Sequence, residues 1–250
     1  MRQAVKRAIE RLFGRLGYAV IPHWRLERHS MARHLARLFR ELSVDLVLDV
    51  GANRGQYHDF LRREVGYAGW IASFEPNPAL ANHLAARARV DDRWAVHGCA
   101  LGSAPGMMEF NIMASSEFSS FLQPTERATS RFAEMNRVAE QVTVEVDTLE
   151  RRLPALMSSL AVCRPYLKLD TQGFDLSVIE GARGVLAELE ALQIEASVTP
   201  IYEAAPDYAT AIATSQSLGF EPSGFFPNNE GHFPRLVEFD CVMVARRHVR

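Results

Sequence analysis

Over the first part of the chain the apolar positions recur at helical spacing. Val5, Ala8, Ile9, Leu12, Phe13 and Leu16 fall on one face of a helix over residues 2–16, and Arg2, Arg7, Arg11 and Arg15 fall mainly on the other. Ser30 is placed to cap a second helix from Met31 to about Leu42. From residue 44 the pattern changes. VDLVLDV (44–50) reads as a buried strand, Gln56 to about Val65 as a helix, WIASFEP (70–76) as a strand and NPALANHLAARA (77–88) as a helix. WAVHGCAL (94–101) reads as a third strand, and MMEFNIM (107–113) and VTVEVDTL (142–149) show two-residue alternation. YLKLD (166–170) precedes a helix over about 175–190, LQIEASV (192–198) is another strand, and GFEPSGFF and VEFDCVMVA form a closing strand pair. This alternation predicts an α/β domain over residues 44–250, with a mostly parallel sheet covered on both faces, behind a helical arm over residues 1–43. Residues 114–141 are polar and have no clear place in that sheet. A segment of such length inside a compact domain is usually functional, so a lid or substrate insertion is expected there.

Composition narrows the class. At 250 residues, 48% apolar and 23% charged, the chain suits one soluble α/β domain with an added arm. It has no apolar run long enough to span a bilayer, and its opening does not read as a secretory signal. Cys99, Cys163 and Cys241 are widely spaced and odd in number, which fits a reducing cytoplasm better than a disulfide framework or a zinc site. Charge is unevenly placed. Residues 1–40 hold ten Arg/Lys against two Glu, whereas the rest holds eighteen against twenty-eight Asp/Glu. An acidic body argues against nucleic acid as a partner. The basic arm suits either packing on the domain or a peripheral contact with the inner face of a membrane or with a protein.

The loop Gly51-Ala52-Asn53-Arg54-Gly55 follows the first strand, at the end where ligands bind in open α/β sheets. A nucleoside triphosphate is excluded, because no Gly-Lys-Ser/Thr follows. A dinucleotide needs G-x-G-x-x-G, and this loop is G-x-x-x-G with Asn53 at the middle glycine position. Asp49 decides between the remaining ligands. A carboxylate at the mouth of the loop repels a pyrophosphate and favours S-adenosylmethionine, which carries a cationic ammonium and a cationic sulfonium. Glu75, ending the second strand, is placed to accept hydrogen bonds from both ribose hydroxyls of an adenosine.

With these residues in hand, the chain resembles the FkbM-type S-adenosylmethionine-dependent methyltransferases. The resemblance runs from about Val44 to Ala245 and rests on ordered motifs: VLDVGANRGQY, SFEPNP, CALG, SSFL, VEVDTL, YLKLDTQGFDLSVIEGA and IEAS. It implies a class I methyltransferase fold, Rossmann-like, with a seven-stranded sheet whose last strand is antiparallel. It implies cofactor contacts from Asp49, Gly51, Asn53, Gly55, Tyr57, Glu75, Pro76, Asn77, Ala100 and Leu101. It further implies methyl transfer to oxygen, commonly on sugars or polyketide-like products. The PIYE stretch (200–203) and the RLFGRLGY opening are similar to those of members found with surface-polysaccharide or glycolipid biosynthesis. Where the family usually carries Glu after Q-G-x, this chain has Asp175.

Methyl transfer to a hydroxyl requires in-line alignment of the acceptor oxygen and removal of its proton. Asp170 ends the fourth parallel strand and Glu195 lies near the end of the next, so both acids should face one cleft, with Lys168 on the same side of its strand. Two mechanisms fit. In one, Asp170 or Glu195 is the general base, tuned by Lys168. In the other, both acids hold Mg²⁺, although a buried lysine nearby disfavours a divalent cation. Ser119, Ser120, Gln172, Tyr202 and His232 are the acceptor-binding candidates, and Phe226 is a further stacking candidate. His97 reads as a hydrogen-bonded core residue and His58 as structural. A nicotinamide-dependent oxidoreductase and a catalytically silent binding protein are the rival readings.

Overall fold

The strand over residues 46–50 carries apolar side chains on both faces except at Asp49, a pattern suited to the middle of a covered parallel sheet. The computed structural model describes residues 12–13, 15–18, 21–22, 26–125, 134–227 and 234–249. In chain order they form α1 (Leu26–Glu41), β1 (Leu46–Val50), α2 (Gln56–Phe60), β2 (Trp70–Phe74), α3 (Pro78–Ala88), β3 (Trp94–His97), β4 (Ala100–Leu101), β5 (Gly106–Met113), β6 (Val138–Asp147), α4 (Leu149–Leu160), β7 (Pro165–Leu169), α5 (Asp175–Glu180), β8 (Ala191–Ser197), α6 (Tyr208–Ser217), β9 (Phe220–Pro227) and β10 (Glu238–Ala245). The main sheet has seven strands in the order β3-β2-β1-β7-β8-β10-β9. All its pairings are parallel except those of β10, which runs antiparallel to both β8 and β9. That is the class I methyltransferase topology implied by the sequence resemblance. The order reverses between β1 and β7, and the strand ends diverge there to leave a crevice.

Two apolar layers hold the sheet. On one face α1 contributes Met31, Leu35 and Phe39, which pack with Tyr57, Phe60, Tyr166 and Val242. On the other, Leu149, Leu153 and Leu156 of α4 and Val178 and Ile179 of α5 pack on Leu48, Leu167, Leu169 and Ile194. Each fully buried Leu or Phe stabilises the fold by about 1.5–3 kcal/mol relative to exposure, so α1 is bound into the core by its own apolar stripe.

Local chemistry sets several boundaries. Asn77 caps α3 by accepting from the N–H groups of Ala79 and Leu80, with Pro78 in the first helical turn. Thr148 caps α4, and Asp207 caps α6. Elsewhere the structure departs from the sequence pattern. Helix α1 begins at Leu26, so Ser30 lies inside it, exposed, and caps nothing. The expected single strand 94–101 bends at Gly98 and Cys99. Its first half stays in the main sheet as β3, and its second half leaves as β4 to join a three-stranded sheet of order β4-β6-β5. The helix expected over 175–190 stops at Glu180, and a 3₁₀ turn takes over from Arg183 to Glu188. Gly181 at the break lies so close to Gly102 that a Cβ would stand 1.9 Å from its carbonyl oxygen.

The segment 114–141 is tied down at both described ends. Ser116–Phe118 form a 3₁₀ turn, Ser120 bridges back to Asn111, Pro124 bridges to Tyr202, and β6 begins at Val138. Residues 126–133, like most of the expected helix over 2–16, lie outside the described residues. No described helix is long and apolar enough to cross a membrane.

Candidate active site

The crevice at the carboxyl ends of β1, β2, β7 and β8 opens into a cavity of about 780 Å³. Its β1–β2 side is made by Gly51, Ala52, Asn53, Phe74, Glu75, Pro76, Ala100 and Leu101. Its β7–β10 side is made by Lys168, Asp170, Gln172, Gln193, Glu195, Phe226, Glu238 and Asp240. Arg28 and Met31 of α1 close one flank, and Ser116 to Ser119 with Phe121 close another.

On the β1–β2 side the main chain holds the decisive acid. Glu75 is 4% exposed and accepts from the N–H groups of Asn53 at 2.7 Å and Asn77 at 2.9 Å. Burial nevertheless pushes its carboxyl up to about 7, because the two amides offset only part of the lost hydration. The glycines of the loop serve the chain itself. Gly51 (φ 83°) packs against the end of β7, where a Cβ would sit 2.0 Å from the carbonyl oxygen of Asp170. Gly55 (φ 85°) faces Arg87, Leu84 and Trp94. The close backbone approach read from the sequence as room for a ligand is thus spent on other parts of the fold.

Asp49 does not line the cavity. Its side chain is fully buried beneath the cavity, accepts from the Ser73 hydroxyl at 3.1 Å and lies 3.5 Å from the Lys168 ammonium. Burial raises its pKa, against the pull of Lys168. The cation that Asp49 serves is Lys168. That ammonium reaches on to Asp170 at 2.9 Å, so it sits between two carboxylates. Burial alone would make Lys168 easier to deprotonate, but the two acids outweigh it and hold the ammonium charged.

Asp170 and Glu195 are drawn together, as expected, and are made unequal. The Gln172 amide donates to Asp170 at 3.0 Å and to Glu195 at 2.7 Å. Burial would raise Asp170, but the charge and hydrogen bond of Lys168, with that of Gln172, carry its pKa below the ordinary value. Glu195 goes the other way: burial first, then the charge of Asp170 and of its other acidic neighbours, keep it protonated well above the usual carboxylate range. Burial, followed by the charge of Asp170, also lifts Glu238 to about 7. Asp240 rises to about 6 chiefly through burial, against the hydrogen bond of Gln193.

These contacts do not suit Mg²⁺. Asp170 already accepts from an ammonium and an amide, Glu195 accepts from the same amide, and a fixed ammonium repels a divalent cation. Among the described residues no three His, Cys, Asp or Glu side chains are grouped to hold a metal ion.

Several sequence candidates become supports. Gln172, left-handed at φ 54°, lines the cavity, but its amide hydrogens go to the two acids and its Oε1 lies 3.2 Å from the Tyr202 hydroxyl. Tyr202 is buried, and its hydroxyl donates to the Phe118 carbonyl. Ser120 is 0% exposed and donates to the Gln172 carbonyl at 2.9 Å, so it fastens the segment rather than facing an acceptor. Ser119 does line the cavity, and its oxygen accepts from Met113 N–H. Tyr57 donates to Gln193 at 2.7 Å, with the Lys168 ammonium over its ring. Asn77 caps α3 and donates its N–H to Glu75. Asp175, shorter than the family's usual Glu, still accepts from the Thr171 N–H and hydroxyl and fixes the loop after β7. His232 lies outside the described residues. His58 stacks on Trp94 and bonds to Asp91. His97 stacks on Phe74, and among the described residues its buried Nε2 has no hydrogen-bond partner.

The sequence reading missed Glu238, Asp240, Gln193, Arg28 and Met31. A signal existed for the first two. In VEFDCVMVA the alternation puts two carboxylates on one face of a strand that should be buried, which marks a polar pocket on that face.

Residues 49–222 match the family model described as Methyltransferase FkbM domain. The chain belongs to the FkbM methyltransferase family. Solved structures similar to it include methyltransferase FkbM from Methylobacillus flagellatus KT, at 16% identity over 80% of this chain and 43% of that one, with a TM-score of 0.49. Fibrillarin from Aeropyrum pernix with natively bound S-adenosyl-L-methionine aligns over 80% of this chain and 66% of that one, at 15% identity and a TM-score of 0.44. An O-methyltransferase from Bacillus cereus, in complex with SAH, aligns over 86% and 80%, at 12% and 0.45. The chain spans less than half the length of the first of these. No curated protein matches it.

The residues present fit S-adenosylmethionine, the cofactor that the sequence resemblance implies. Glu75 keeps lone-pair directions for ribose hydroxyls beyond its two amide bonds, and Phe74, Pro76, Ala100 and Leu101 offer an apolar wall for a base.

Proposed function

We propose that this FkbM methyltransferase transfers a methyl group to a hydroxyl of a sugar or glycosylated acceptor. The observation that carries the reading is Asp170: a carboxylate at the end of β7, 2.9 Å from the Lys168 ammonium, on a cavity side that also carries Gln172, Gln193, Glu195, Glu238 and Asp240. S-adenosylmethionine bound on the β1–β2 side supplies a methyl group on a cationic sulfur, so that an O–C bond forms as a C–S bond breaks.

The acceptor oxygen becomes positively charged as it takes the methyl group, and its proton then passes to even a weak base. Asp170 therefore needs position and charge more than basicity. Glu195, its pKa raised by burial and by the charge of Asp170, supports Asp170 through their shared Gln172 amide. When Asp170 is protonated, Lys168 keeps Asp49 as a counter-ion at 3.5 Å, and no buried cation is stranded. The segment around Ser116 to Phe121 covers the cavity and keeps water from the reacting atoms. The acidic body disfavours polyanionic acceptors such as nucleic acid.

The test is incubation with methyl-labelled S-adenosylmethionine and separate glycolipid, polysaccharide and glycosylated small-molecule fractions. Release of S-adenosylhomocysteine with an O-methyl ether on a sugar, located by mass spectrometry and NMR, supports the reading. Label found only on nitrogen or on a sugar-free product sinks it.

A further inference from the structure

The start of the described chain turns apolar side chains outward. Leu12, Phe13, Leu16 and Tyr18 are 60%, 41%, 64% and 67% exposed, and Leu26 at the start of α1 is 53% exposed. The contrast lies a few residues on, where Met31, Leu35 and Phe39 of α1 are buried in the core. Basic residues are frequent in the same stretch of sequence. Arg15 lies among them, and Arg28, Arg33, Arg37 and Arg40 are exposed along α1, with Arg37 paired to Glu41 at 2.7 Å. Residues 1–40 carry ten Arg/Lys against two Glu, whereas the remaining chain carries ten more acids than bases.

Among the described residues, nothing covers Leu12, Phe13 and Leu16. We infer that this patch and the basic outer face of α1 dock the protein on an anionic lipid bilayer. Apolar side chains enter the boundary between headgroups and acyl chains, and the arginines meet the negative surface. Charge selects the occupant: a segment this cationic, attached to an acidic body, is attracted to negative lipid while the body is not. Arg28 and Met31, on the same helix, line the cavity, so a docked α1 is joined directly to the site. The inference does not depend on which group is methylated.

The experiment is cosedimentation of the full chain, loaded with S-adenosylhomocysteine, with phosphatidylcholine vesicles that contain or lack phosphatidylglycerol. Binding is expected only where phosphatidylglycerol is present and is expected to weaken with salt. Phe13→Asp/Leu16→Asp should lower partitioning by about tenfold or more, and Arg33→Glu/Arg40→Glu also by about tenfold. The second pair lies on the outside of a packed helix, so it remains informative if the first pair harms folding. S-adenosylhomocysteine affinity, measured by calorimetry, should be unchanged in both. Three results would overturn the inference: no binding to either vesicle, binding untouched by both variants, or a wild-type dimer that Phe13→Asp/Leu16→Asp dissolves.

Discussion

The two sides of the cavity are built by different means. On the β1–β2 side the backbone does the holding, with two amide N–H groups on one acid and a glycine loop pressed on a neighbouring strand. On the β7–β10 side the work falls to side chains from several strands, where Asp170, Glu195 and Asp240 accept from one ammonium and two amides. The first arrangement fixes a shape. The second sets a distribution of protons, with the pKa of Asp170 lowered and that of Glu195 raised although both accept from one amide. Recognition of a constant ligand can rest on backbone, whereas acid–base work needs groups whose surroundings differ.

The comparison breaks most sharply at Asp170. Asp170→Asn should cut kcat by about 10²–10⁴, the range for a lost general base, and leave S-adenosylhomocysteine affinity within about twofold. A variant near wild-type rate at pH 7 would show that the β7–β10 side is not the proton acceptor.

Next in size is the contact that joins the sides. Gly51→Ala meets the Asp170 carbonyl at 2.0 Å and forces a side chain into a left-handed position, so a loss of about 2–4 kcal/mol in stability is expected by chemical denaturation. An unaltered midpoint would mean that the loop and β7 move apart freely.

Glu75→Gln should weaken S-adenosylhomocysteine binding by about 1.5–3 kcal/mol, the span for hydrogen bonds to a charged group. Here the pH dependence has a definite sign. Burial raises Glu75 to about 7, so its proton binds more tightly in the folded than in the unfolded chain. Its contribution to folding is therefore present below the usual glutamate range and is lost as pH rises through about 7. Ribose hydroxyls favour the ionised form. Affinity should then be flat above pH 7 and fall below it, approaching about tenfold per unit, and Glu75→Gln should flatten the curve in calorimetry.

The smallest effects separate two adjacent serines. Ser120→Ala strands buried hydrogen-bond partners and should cost about 1–2 kcal/mol of stability, whereas Ser119→Ala should mainly raise the acceptor KM by a few-fold. The reverse assignment in melting and kinetic measurements would place the acceptor against Ser120.

Legibility followed the same division. Glu75 and the glycine loop were visible because local motifs form them, and Lys168, Asp170 and Glu195 because strand periodicity puts them near one crevice. The pairing of Lys168 with Asp49 was not visible, since it depends on β1 and β7 being neighbours in register. Nor was the role of Gln172, whose left-handed backbone turns its amide back onto Asp170 and across to Glu195. The strand break at Gly98 and the helix break at Gly181 were hidden for a similar reason. Hydrophobic spacing continues through both, and a second sheet and a close backbone contact decide them.

The packing of Gly51 on the carbonyl of Asp170 has an evolutionary reach. It fixes the spacing between cofactor loop and proton acceptor in main-chain atoms, which substitution on β8, β10 or the covering segment does not alter. Inheritance can then treat the pocket as two parts with separate histories. One is a main-chain frame formed by the loop after β1 and the end of β7, and the other is a row of side chains that can be exchanged without moving that frame.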